Sequence, residues 1–262
     1  MSATLAPPTT ATGRFVWRDL MTTDPERAKA FYAELFGWTV KPMPMGDFTY
    51  EMLANGDNDF GGVMPFSTEH GVPSHRTSYI YVPSVDEATA TATRSGATVY
   101  VPPSDIPGVG RFSVLGDPQG ATFATFTDTS MPGETPPEEG MPPVGGVAWN
   151  ELITADPDAA RAFYGDVIGW QFEDTDMGGP VKYTLLKQGD AMYGGLMRKP
   201  DEIPVSMWVI YFHVADLDQS LAEITRLGGQ PAGEIIPVPG VGRVSWASDP
   251  TGAVFALLEP EK

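Results

Sequence analysis

Phe15-Val16-Trp17-Arg18-Asp19-Leu20-Met21-Thr22-Thr23-Asp24-Pro25 returns 132 residues later as Val147-Ala148-Trp149-Asn150-Glu151-Leu152-Ile153-Thr154-Ala155-Asp156-Pro157. The same offset carries Gly37-Trp38 onto Gly169-Trp170 and Pro107-Gly108-Val109-Gly110-Arg111 onto Pro239-Gly240-Val241-Gly242-Arg243. It also carries Asp117-Pro118 with Gly120 onto Asp249-Pro250 with Gly252. One offset held across most of the chain means two copies of one module, which restricts the possible folds before any single residue is interpreted.

Around the repeated stretch, the modules follow from length and composition. A chain of 262 residues is enough for about two domains, and each copy is expected to bury a core of its own. With 42% apolar and 19% charged residues the composition is that of a globular protein, and no apolar run approaches the roughly 20 residues of a membrane helix. The first residues, small, polar and rich in Pro and Thr, lack the basic and apolar regions of a secretory signal and read as a tail, 1–12. Modules are expected at 13–128 and 144–262, joined by a linker, 129–143. The stretch Asp128 to Pro143 holds five prolines and four acidic side chains and has no apolar period. A tethered pair has a high effective concentration, so the modules are expected to pack as an intramolecular pseudo-dimer, as a monomer or as a homodimer of such chains. No cysteine is present, which removes thiolate chemistry and fits a reducing cytoplasm. A net charge of −18 disfavours nucleic acid and anionic membranes, whose phosphates it would repel.

Within each copy the opening stretch reads as a strand, and Asp-Pro then starts a helix with Asp24 or Asp156 as cap. Ala28, Phe31, Tyr32, Leu35 and Phe36 form an apolar stripe that Ala160, Phe163, Tyr164, Val167 and Ile168 repeat, and Gly37 and Gly169 supply the stop. Strand-like runs follow, a second helix begins near Asp86, and Asp117-Pro118-Gln119-Gly120 makes a tight turn before the last strand. The result is an α+β protein whose modules each consist of two β-α-β-β-β units.

This order of elements, with Phe-Tyr on the first helix, Gly-Trp after it and Asp-Pro-x-Gly before the last strand, resembles the vicinal oxygen chelate superfamily. Glyoxalase I, extradiol dioxygenases and bleomycin-resistance proteins are members. The resemblance implies a cupped eight-stranded sheet per module, helices on its outer face and a site on its inner face. Trp17 and Asp19, and Trp149 and Glu151, then look into the cups.

Enzymes of the superfamily hold a divalent metal through His, Gln or Glu. The resemblance places the first-strand ligand position on Trp17 and Trp149, the last-strand position on Ala124 and Ala256, and the fifth-strand position near Thr77 and Val209. Indole and methyl groups donate no lone pair to a metal. His70, His75 and His213 have no counterparts at the offset, and a mixed site of His75, Asp19 and Glu51 is the remaining arrangement. No metal and no cofactor are therefore expected. An apolar, aromatic-walled pocket suits a flat hydrophobic small molecule, with Trp17, Trp149, Tyr50, Tyr183, Tyr79, Tyr211, Ala124, Ala256, Arg111 and Arg243 as its binding residues. Asp19 and Glu151 are the candidate acids or bases, burial raising their proton affinity; the alternative is an ion pair with Arg111 or Arg243. Three functions follow in order: metal-independent binding of a natural product, in resistance or in aromatic metabolite biosynthesis; cofactor-free proton transfer by Asp19 or Glu151; and metal-dependent glyoxalase or dioxygenase chemistry.

Overall fold

The computed structural model describes residues 12–46, 48–67, 73–128, 140–177 and 182–261; most of the expected tail and linker, and His70, lie outside the described residues. The duplicated stretch opens each module as a strand, β1 (Phe15–Thr22) and β9 (Val147–Thr154). The helices α1 (Pro25–Phe36) and α3 (Pro157–Ile168) follow. Asp24 accepts the Arg27 amide and Asp156 accepts those of Asp158 and Ala159, filling helix-start donors that would otherwise lack partners. Gly37 (φ 73°) and Gly169 (φ 82°) end the helices in the left-handed conformation that a side chain would strain.

In module 1 the chain continues through β2 (Thr39–Met45), β3 (Phe48–Asn55), β4 (Asn58–Pro65), β5 (His75–Tyr81), α2 (Val85–Arg94), β6 (Thr98–Ile106), β7 (Gly110–Gly116) and β8 (Thr122–Asp128). Module 2 repeats this with β10 (Gln171–Thr175), β11 (Tyr183–Gln188), β12 (Ala191–Arg198), β13 (Met207–His213), α4 (Leu217–Arg226), β14 (Gln230–Val238), β15 (Gly242–Ser248) and β16 (Val254–Pro260). Each module is one eight-stranded sheet, ordered β2-β3-β4-β1-β5-β8-β7-β6 and β10-β11-β12-β9-β13-β16-β15-β14. The pairs β1–β4 and β5–β8 are parallel and β1–β5 is antiparallel, so the two β-α-β-β-β units meet at the sheet centre and curve into a cup. The α+β class and the pseudo-dimer are as the sequence reads. Among the described residues no helix is long and apolar enough to cross a membrane.

The expectation that each module buries its own core is corrected. One cluster joins Leu20, Phe31, Tyr32, Phe36 and Trp38 of module 1 to Phe212, Ile224, Phe255 and Leu257 of module 2. The other joins Phe15, Ile80, Leu115 and Phe123 of module 1 to Leu152, Phe163, Tyr164, Trp170 and Trp208 of module 2. Each half-module thus completes its outer face against the opposite copy. Hydrophobic periodicity reports that a face is buried and not what buries it.

Polar contacts repeat across the same pseudo-two-fold. Tyr32 Oη donates to Asp249 (2.9 Å) and Tyr164 Oη to Asp117 (3.1 Å). The Trp38 indole donates to the Gly145 carbonyl (2.9 Å) and that of Trp170 to the Gly13 carbonyl (3.1 Å). On the axis Arg18 meets its own counterpart, Asn150, at 3.4 Å, and burial, with a smaller push from Arg14, lowers the guanidinium to about 10. The symmetry breaks beside Tyr32 and Tyr164. Trp208 donates its indole N–H to Tyr164 Oη (3.0 Å), but its counterpart Arg76 stands over the rings of Tyr32 (4.7 Å), Phe212 (5.2 Å) and Trp38 (5.7 Å).

Candidate functional site

Side chains alternate along a strand, so Leu20 on β1 enters the shared core while Trp17, Asp19 and Met21 face the cup. A bulge between Phe15 and Trp17 lets Phe15 join the core while Trp17 still faces inward, and Val16 is the extra residue. The inner face then reads across the sheet by register. Asp19 on β1 is paired with Gly62 on β4 and Thr77 on β5; Trp17 is paired with Tyr79, and Tyr79 with Ala124 on β8. Tyr50 on β3 crosses β4 over Gly62, where an added Cβ would lie 1.9 Å from its hydroxyl. Only glycine leaves that passage open.

These residues meet around one carboxylate. Asp19 accepts Tyr50 Oη and the Trp17 indole (3.2 Å) on Oδ1, and Tyr79 Oη (2.8 Å) on Oδ2, while the Trp17 indole also reaches Tyr50 Oη at 2.6 Å. In module 2 Glu151 accepts Tyr183 Oη (2.9 Å) and Tyr211 Oη (2.6 Å), and the Trp149 indole donates to Tyr183 Oη (2.7 Å). Tyr183 crosses β12 over Gly195 in the same way. Tyr211 is paired with Trp149 and Ala256, as Tyr79 is with Trp17 and Ala124.

Both carboxylates are buried, Asp19 6% and Glu151 4% exposed. Burial raises their proton affinity, and the phenol and indole donors offset this only in part. Burial, reinforced by the neighbouring carboxylate, pushes Tyr50, Tyr79, Tyr183 and Tyr211 far above the ordinary phenol range, so they stay protonated and remain donors. Neither carboxylate has the cation that the sequence reading offered as an alternative.

Arg111 and Arg243 are not brought to either cluster. Arg111 forms ion pairs with Asp86 (2.8 Å) and Asp105 (2.7 Å), and Arg243 with Asp218 (2.9 Å) and Glu259. Arg243 also lines a shallow surface depression with Pro237, Pro239 and Glu259, none of which belongs to the cluster. The mixed set of His75, Asp19 and Glu51 does not assemble: Glu51 pairs with Lys29 (2.7 Å) and His75 Nδ1 lies 2.9 Å from the Pro73 carbonyl. His213 Nδ1 likewise lies 2.6 Å from the Pro142 carbonyl. Among the described residues no three His, Cys, Asp or Glu side chains converge, so the donor set does not fit a divalent metal held as in the superfamily's enzymes. Trp246, whose indole donates to Tyr211 Oη at 3.2 Å, escaped sequence reading, as did Phe112 beside Tyr79. The signal for Trp246 was a change of size at the shared offset, since Val114 is its counterpart.

Two families match the chain: residues 14–50 match one described as bleomycin resistance protein-like N-terminal, and residues 148–258 match a glyoxalase-like domain. CFP32 of Mycobacterium bovis, named as a candidate glyoxylase, is 36% identical over 93% of this chain and 94% of its own length. Anthracycline biosynthesis protein DnrV of Streptomyces peucetius is 31% identical over 95% and 94%. Among solved structures, the Mn(II)-bound glyoxalase from Novosphingobium aromaticivorans superposes with a TM-score of 0.61 at 16% identity, over 95% of this chain and 82% of that one. The 2,3-dioxygenase LapB from Pseudomonas sp. KL28 gives 0.62 at 12% identity, over 96% and 94%. These two likenesses concern the fold alone.

Proposed function

Because the chain belongs to the vicinal oxygen chelate superfamily, we propose that it binds a flat, hydrophobic small molecule on the inner face of its cupped sheet, without a metal ion. The observation that carries this reading is the cluster itself. At the positions that the resemblance assigns to metal ligands both modules carry an indole and an alanine, and the one nearby carboxylate accepts phenol donors. The surface left over is aromatic and apolar, suited to stacking, which is worth about 0.5–1.5 kcal/mol beyond the area it buries. Relatives named for anthracycline biosynthesis support a fused-ring ligand, since anthracyclines are flat polycyclic aromatics. Biosynthesis or resistance in the cytoplasm is the setting this reading fits.

The test is calorimetric titration of the chelator-treated protein with 1,8-dihydroxyanthraquinone. Saturable binding is expected, and Trp17→Ala combined with Trp149→Ala should weaken it by about tenfold or more, since each 1.4 kcal/mol is a factor of ten. Binding that appears only when a divalent metal is restored would sink the metal-independent reading.

The raised proton affinity of Asp19 and Glu151 favours a second reading, cofactor-free proton transfer. Such a carboxylate would have to exchange a tyrosine donor for the substrate. Turnover that survives Asp19→Asn combined with Glu151→Gln would eliminate it.

A further inference from the structure

The duplication supplies an internal comparison of the two cups, and they differ beside the tyrosine that faces the alanine. In module 2, Trp246 on β15 is paired across the sheet with Ala256, and its indole N–H donates to Tyr211 Oη, which in turn donates to Glu151 (2.6 Å). In module 1 the chain of contacts is the same up to its last member. Tyr79 Oη donates to Asp19 (2.8 Å), Tyr79 is paired with Ala124, and Ala124 with Val114. Valine carries no donor and is far smaller than an indole. Among the described residues nothing donates to Tyr79 Oη, and a phenol oxygen has acceptor capacity beside its own O–H.

Burial follows this difference. Tyr211 (7%), Leu258 (5%), Ile153 (0%) and Val209 (1%) are buried in an apolar cluster on the inner face of module 2, against which Trp149 and Trp246 pack. Tyr79, Phe126 and Met21, the counterparts of the first three, are only half-buried, while Val209 is matched by the polar but equally buried Thr77 (4%). The aromatic ring of β7 stands two residues earlier, at Phe112, tilted 39° to Tyr79 with centroids 6.2 Å apart, where it forms a wall beside the tyrosine. Its own counterpart is Val244.

We infer that module 2 fills its cup with its own indole and that module 1 is the receiving cup, whose ligand is a planar fused-ring aromatic with an O–H or N–H donor at its edge. Trp246 is the template for that ligand: a flat bicycle lying over Ala256 with one edge donor directed at a tyrosine oxygen. An equivalent ligand in module 1 lies over Ala124 between Trp17 and Val114 and donates to Tyr79. The buried carboxylate behind Tyr79 disfavours an anionic ligand and favours a neutral donor. This assignment rests on the metal-independent binding reading and adds which cup is used and what the ligand must carry.

The experiment is calorimetric titration of the full chain with 2-naphthol, and with 2-methoxynaphthalene as the analogue lacking the donor. Wild type is expected to take one 2-naphthol per chain, and to bind the methyl ether about three- to tenfold more weakly, the usual effect of one hydrogen bond. Val114→Trp should remove binding and Trp246→Val should raise the stoichiometry from one to two. Unit stoichiometry that survives Val114→Trp and vanishes in Trp246→Val overturns the assignment while the binding reading stands. Two equivalent sites in wild type do the same. No saturable binding in wild type or either variant overturns the binding reading and the assignment with it. If circular dichroism shows that Val114→Trp is unfolded, Trp246→Val decides alone, and an unchanged stoichiometry there overturns the proposal.

Discussion

The two modules agree in the aromatic residues that meet in their shared cores and in the tyrosine and indole donors around each carboxylate, but differ in the side chains that surround those donors on the inner faces. Leu20 and Leu152, Phe31 and Phe163, Tyr32 and Tyr164, Trp38 and Trp170, and Phe123 and Phe255 are equivalent residues in the shared cores. On the inner faces Met21 is matched by Ile153, Thr77 by Val209, Val114 by Trp246 and Phe126 by Leu258. An outer residue packs on the opposite module, so a change in it must be accommodated by both copies, at a density where a single methylene is felt. An inner residue answers only to its own cup. Ile80 and Phe212, and Leu115 and Ala247, are outer pairs that trade one apolar size for another, whereas Arg76 and Trp208 trade a charge for an indole, and the three rings over Arg76 show how much aromatic cladding that charge takes.

Separating the modules would break the comparison most severely. A fragment spanning 12–128 lacks the opposite half of both cores, and the expected outcome in light scattering and circular dichroism is self-association or loss of structure. A folded monomer of that fragment would mean that the outer faces do not depend on each other. Next in size, exchanging the odd pair should be asymmetric. Trp208→Arg is expected to cost about 3–5 kcal/mol in urea unfolding, because it removes a buried indole that packs on Phe15, Tyr164 and Trp170. Arg76→Trp should be neutral or stabilising. Equal costs would mean that the two cores are interchangeable after all.

Smaller effects sharpen the inner-face side. Gly62→Ala and Gly195→Ala each force a Cβ onto a tyrosine hydroxyl, an overpacking worth about 1–3 kcal/mol. Their stability costs should be similar, but only Gly62→Ala should weaken 2-naphthol, as measured by calorimetry. The smallest effect is in pH dependence. Asp19 is raised above its ordinary 3.8, so the native state holds its proton more tightly than the unfolded chain does. Its contribution to stability is complete below 3.8 and is lost as pH rises through the shifted value. The stability of wild type relative to Asp19→Asn should therefore fall over that window and level off above it, followed by urea unfolding at successive pH values. A difference that grows in favour of wild type with pH would mean that the phenol and indole donors outweigh burial.

Much of this was legible in the residues. The Asp-Pro caps, the helix stripes, the β-α-β-β-β order and the placing of Trp17 and Asp19 on one strand face follow from local chemistry and alternation, which act over a few residues, whereas that this face is the inner one was implied by the resemblance. The gathering of Tyr50 and Tyr79 around Asp19 was legible only through the superfamily's sheet order, because those residues lie 31 and 60 positions from it. Two things lay beyond such reading. Arg111 and Arg243 follow glycine-rich turns that resemble a rim, but opposite charge on Asp86 and Asp218 draws them to the helix starts. The exchange of cores between modules leaves each copy's apolar pattern unchanged, so no periodicity reports it.

The reciprocal tryptophan clasps have a consequence for the order of the gene. Trp170 of module 2 holds the Gly13 carbonyl and Trp38 of module 1 holds the Gly145 carbonyl, so each module is entered from the same place on its neighbour. The gap from Pro260 back to Phe15 is then the symmetry mate of the gap from Asp128 to Val147, which the chain already spans. A circular permutant that joins the old ends with a copy of the 129–146 segment, and begins within that segment, would carry the modules in reverse order and reach the same structure. Which copy is called first is a matter of where translation starts.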